Sequence, residues 1–110
     1  MIEDTIAKIE AQLNAAKAIK PERKQELLKL LGTLKAEVNG IAGTHGEEAA
    51  SIARFTEVST HEATRSSQDQ QLLDLSLEGL RSSARSFEES HPKLVQIVNS
   101  ISRTLSNLGI

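Results

Sequence analysis

The stretch Pro92-Lys93-Leu94-Val95-Gln96-Ile97-Val98-Asn99-Ser100-Ile101-Ser102-Arg103-Thr104-Leu105-Ser106-Asn107-Leu108 decides the fold class. Its aliphatic residues Leu94, Val98, Ile101, Leu105 and Leu108 recur four and three positions apart, which lines them along one face of an α-helix. A half-buried strand needs alternation at every second residue, and that pattern is missing. Val95 and Ile97 broaden the start of the stripe. Pro92 suits a first helical turn, where its missing N–H leaves no bond unmade. Gly109 supplies the expected stop.

The same rhythm runs upstream in Leu73, Leu77, Leu80, Ala84 and Phe87, in Leu27, Leu31, Leu34, Val38 and Ile41, and in Ile2, Ile6, Ile9, Leu13 and Ala16. Pro21 ends the first helix by pushing Lys20 out of helical geometry, then opens the second. Gly32 lies inside that second helix, a cost of about 1 kcal/mol against Ala unless a backbone packs close to it. Gly43-Thr44-His45-Gly46 reads as the main loop. Ile52, Phe55 and Val58 give the next helix a short apolar face, and Glu47 and Glu48 complement its positive end.

The expectation is one all-α domain over 1–110, with about four helices near 2–19, 21–42, 47–89 and 92–108. They form antiparallel hairpins or a bundle with coiled-coil-like seams. The seams are written by Ile6, Ile9, Leu13, Leu27, Leu31, Leu34, Val38, Leu73, Leu77, Leu80, Leu94, Val98, Ile101 and Leu105. Residues 59–71 hold no large apolar side chain, no Gly and no Pro. Either a long helix crosses them or the chain loosens into a loop. The preference is for helix, because nothing there breaks one. At Pro92 the in-phase rhythm through His91 leaves both a kinked continuous helix and a true bend open, with the bend preferred.

Composition narrows the function. The 110 residues carry a net charge of −2 with bases and acids interspersed, so no run of phosphates is matched. Phe55 and Phe87 are the only aromatics besides three histidines, which leaves no stacking platform for bases. Cysteine is absent, excluding disulfides and thiolate metal sites. The N-terminal residues show no secretory pattern and no apolar run spans a bilayer, so a cytoplasmic location without membrane or nucleic-acid partners is expected.

Candidate chemistry is sparse. His61-Glu62-Ala63-Thr64-Arg65 approaches the helical zinc-protease motif, but Arg65 stands where a second His must bind, and a solvated helix face explains it better. Glu88-x-x-His91 is a single copy of a motif that di-metal bundles use twice. Ser90 and His91 lack the sharp Gly-x-Ser-x-Gly turn that exposes a nucleophile. The glycines at 40, 43 and 46 are not followed by the Lys-Ser/Thr of a phosphate loop. We therefore expect no enzyme, no cofactor and no metal, with Phe87, Ser90, His91 and Pro92 fixing a structural bend.

Phe87-Glu88-x-Ser90-His91-Pro92-x-Leu94, with a final helix ending Leu105-x-x-Leu108-Gly109-Ile110, resembles the tail of a family of small bacterial helical proteins known as a domain of unknown function. The helix around Leu13, the turn, and Glu26-Leu27-Leu28-x-x-Leu31 with Leu34 are similar to that family's opening. The likeness covers about 1–39 and 72–110, and 44–71 reads as an extension between the halves. It implies a helical fold and the shared bend, and no activity. Four narrow stripes give one chain a thin core, so the functional expectation is a self-associating interaction module, a dimer first. The alternative is an adaptor offering a groove to another protein's helix; a metal protein or enzyme built on Glu88 and His91 ranks last.

Overall fold

The computed structural model describes residues 2–108 and holds five α-helices: α1 (Ile2–Ala15), α2 (Pro21–Ala42), α3 (Gly46–Thr64), α4 (Gln70–Ala84) and α5 (Pro92–Asn107). A single 3-10 turn, Arg85–Phe87, follows α4, and no strand occurs among the described residues. The connections are too short for two consecutive helices of this length to lie side by side except antiparallel. α2, α3, α4 and α5 touch in a closed ring, with α3 also reaching α5 across it. α1 lies in the groove of α2 and α3 and meets no other helix.

Every one of the fourteen seam residues is at most 2% exposed, so a single chain covers all of its own stripes. The thin core that motivated a seam-to-seam dimer is therefore not thin. What fills it is α3, whose inward face is Ala49, Ile52, Ala53, Thr56, Ser59, Thr60 and Ala63. Small side chains let helices on several sides approach closely. The threonine hydroxyls are satisfied within the helix: Thr56 Oγ1 donates to the Ile52 carbonyl and Thr60 Oγ1 to the Thr56 carbonyl, each at 2.8 Å. Their methyl groups are then free to pack.

The single helix expected over 47–89 is two helices folded against each other. α3 continues through Thr64, because Ser59, Thr60 and Ala63 are buried despite their small size. Arg65 is extended, at φ −67° and ψ 149°. Gln68 Nε2 donates to the Ala63 carbonyl at 3.3 Å, closing the end of α3, and the Asp69 carboxylate accepts from the Leu72 N–H at 3.1 Å, starting α4. Folding back lays Leu73, Leu77 and Leu80 in the core, which a straight helix would leave in water. The count is thus five helices instead of about four.

Other boundaries shift for local reasons. α1 ends at Ala15, four residues before the expected Ile19, because residues 16–20 make the reversal that Pro21 forces. Lys20 has the extended geometry a following proline demands (φ −63°, ψ 143°). No described glycine has positive φ: Gly43 ends α2 in right-handed geometry and Gly46 already belongs to α3. A Cβ at Gly32 would meet nothing within 4 Å, so no close backbone neighbour offsets the cost of a glycine inside α2. Gly109 lies outside the described residues. Asp69→Ala should lower the unfolding free energy by about 1 kcal/mol through loss of the cap, measured by urea titration.

Candidate functional site

Two places on the molecule combine unusual residues. The first is the end where the α2–α3 loop meets the link from α4 to α5. His45 and His91 both stand at helix starts there, and Phe87 lies between them. The Phe87 ring is edge-on to His45 at 5.3 Å and to His91 at 5.5 Å, and the two imidazoles are 6.5 Å apart. Phe87 is buried; His91 is half-buried and His45 exposed. His91 Nδ1 bonds Ser90 Oγ and His45 Nδ1 bonds Thr44 Oγ1, each at 2.9 Å.

Phe87, Ser90 and His91 lie on the link from α4 to α5, which Pro92 follows, and His45, which sequence reading placed only in a loop, packs on the same Phe87 ring. The His91 backbone N–H donates to the Phe87 carbonyl at 2.8 Å, tying the corner before Pro92 opens α5. The imidazole bonds its neighbour Ser90 and packs edge-on against the Phe87 ring. Glu88 is exposed on the same link. Among the described residues no group of three or more His, Asp or Glu side chains is placed to hold a metal ion. In the His61 motif, Glu62 is buried and its Oε1 is held by Arg65 Nη1 at 3.0 Å, with His61 Nε2 at 4.0 Å from Oε2.

An open cleft of about 460 Å³ lies along the junction of α1 and α3. Asp4, Thr5, Lys8, Arg54 and Glu57 line it beside Ile2, Ala53 and Val58, a mixed polar and apolar rim.

The second place is the outer face of α3 and α4. Phe55 and Val58, expected in the core, are 39% and 47% exposed, and Leu72 and Leu75 are 43% and 62% exposed. The core-facing residues of α3 are the small ones beside them, so the large pair points outward. The Phe55 ring lies directly over Gly79, where a Cβ would collide with it. That contact sets the register: in antiparallel helices, Val58 then lies level with Leu75 and Ser76, and Leu72 with Glu62. The four exposed residues are thus the large apolar side chains that α3 and α4 leave open to solvent. Glu78 flanks them; hydrogen bonds from Arg81 and then Arg85 hold its carboxyl below the usual carboxylate range. Among the described residues no helix is long and apolar enough to cross a membrane.

Closed seams, a ring-packed corner and one uncovered strip define an all-α helical domain with its apolar surface concentrated on α3 and α4. The chain belongs to the family described as Domain of unknown function (DUF4404), whose model matches residues 29–110. The match includes 44–71, so the stretch read as an extension is part of the family's domain. It begins inside α2, leaving α1 outside the matched span. No curated protein and no solved structure matches the chain. Phe87→Ala should cost about 3–5 kcal/mol as a buried aromatic, and His91→Ala about 1 kcal/mol through its ring contacts to Phe87 and His45, both read from urea unfolding.

Proposed function

We propose that the protein is a self-associating helical interaction module whose contact surface is the outer α3/α4 strip of Phe55, Val58, Leu72 and Leu75. The observation that carries this reading is the contrast between fourteen covered seam residues and four large apolar side chains left in water on one face. Exposed apolar surface rimmed by charges is the surface that association covers. Removing such area from water contributes about 25 cal/mol per Å² before the entropy of joining two bodies is subtracted. The seams proposed from sequence are spent inside the chain and play no part in pairing. Phe87, Ser90, His91 and Pro92 act in this reading as the rigid corner that sets α5 against α4, and not as chemistry.

Sedimentation equilibrium tests this. Over roughly 1 to 300 µM, the range of weak protein pairs, the wild type should rise from one chain mass towards two. Val58→Glu with Leu75→Glu should stay at one chain mass with an unchanged helical melting curve, since both side chains are exposed. A wild type that remains a single chain at the top of that range, or a variant that associates equally well, overturns the reading.

A further inference from the structure

Among the described residues α1 touches α2 and α3 and no other element. It joins the rest of the fold through residues 16–20, of which Lys17, Ala18 and Lys20 are exposed. Ile6, Ile9 and Leu13, each at most 1% exposed, anchor it in the groove that α2 and α3 form. Most of that groove belongs to the family's domain, whose match starts at residue 29 inside α2 and takes in all of α3, while α1 lies outside it. Lys24 of α2 fixes the polarity of the seated helix. Its Nζ donates to the Asn14 carbonyl at 3.3 Å, one of the last four carbonyls of α1, which have no partner within the helix. A cation there also suits the negative end of a helix.

Two features show that α1 fills this groove imperfectly. The cleft of about 460 Å³ along its junction with α3 stays open, with Thr5 and Lys8 of α1 on one side and Ala50, Ala53 and Val58 of α3 on the other. Towards the C-terminal end of α1, the buried Oε1 of Gln12 accepts no hydrogen bond from the described residues. A polar atom is there withdrawn from water without a replacement partner, which costs free energy. Both faults belong to side chains of α1. Larger apolar residues in place of Thr5 and Gln12 would cover the cleft wall and remove the orphaned oxygen.

We infer that the α2/α3 groove is a helix-docking site that α1 occupies in cis, and that its outside ligand is an amphipathic helix of another protein. That helix carries aliphatic residues at the spacing of Ile6, Ile9 and Leu13, apolar residues where α1 has Thr5 and Gln12, and its C-terminal end at Lys24. α1 is then a strap that swings away on residues 16–20 when the better-fitting helix takes its place. Recognition of this kind lays the apolar face of one helix into a groove, with the anchors three and four residues apart. The inference stands independently of whether copies meet on α3 and α4.

The probe is a fluorescent peptide of residues 2–19 carrying Thr5→Leu and Gln12→Leu, titrated into full-length chains. Ile9→Asp unseats α1 in the full chain, because a carboxylate is costly at a fully buried position. The probe should bind this variant roughly tenfold or more tightly than the wild type, since a resident helix lowers the apparent affinity by the fraction of time it is docked. Adding Leu75→Glu, on the exposed outer face of α4, should leave that binding unchanged. In the wild type, hydrogen exchange should show α1 amides exchanging through an opening that leaves those of α3 and α5 protected. Equal binding to both chains, binding to neither, or binding lost with Leu75→Glu overturns the proposal. So does an Ile9→Asp chain without a helical melting transition, or a wild type whose α1 amides exchange only together with those of α3 and α5. In either case the groove does not outlast its resident.

Discussion

The narrowness of α3's inward face governs the rest of the structure. Ala49, Ala53, Thr56, Ser59, Thr60 and Ala63 bring little volume, and their smallness lets α1, α2, α4 and α5 all touch one helix. The large aliphatics of those four neighbours converge on the space that α3 leaves. Without that thin partner, the stripes of Ile and Leu would hold one another apart and expose the edges of each seam. Interiors pack at crystal-like density, so a slender helix at the centre is as specific a requirement as a bulky residue elsewhere.

This arrangement also explains where apolar surface remains. Apart from Ile52 the inward face of α3 is taken by small residues, and Phe55 and Val58 lie outside it. α4 folds back on the same helix, and Gly79 gives the Phe55 ring a seat. Leu72 and Leu75 then fall beside it. The uncovered strip is therefore a consequence of how α3 is written.

The seams were legible from sequence because large aliphatics at four-and-three spacing leave few alternatives. Leu27, Leu34, Leu80, Leu94 and Leu105 are all in the core. α3 was not legible, because burial there is carried by Ser, Thr and Ala, whose hydrophobic signal is weak. Reading Ile52, Phe55 and Val58 as the core face picked the largest residues and found only Ile52 inside. The break at 65–69 carried a signal in Asp69 three residues before Leu72, an acceptor placed for a helix start. Glu62 was read as solvated, yet Arg65 one turn on lets it be buried as a pair. His45 was missed as a partner of Phe87 and His91. Antiparallel alternation alone places the ends of α2 and α4 at the same end of the molecule, and with them these three rings.

Equilibrium urea unfolding of Thr56→Leu tests the central claim most directly. Thr56 is fully buried on the face where α3 meets its neighbours, and its hydroxyl is bonded only within its own helix. If that face must stay thin, the added volume of Leu should lower the unfolding free energy by about 1–3 kcal/mol, the cost of overpacking a filled core. An unchanged or increased stability would mean there is room at the centre of the helices, and that a slender α3 is not what holds them together.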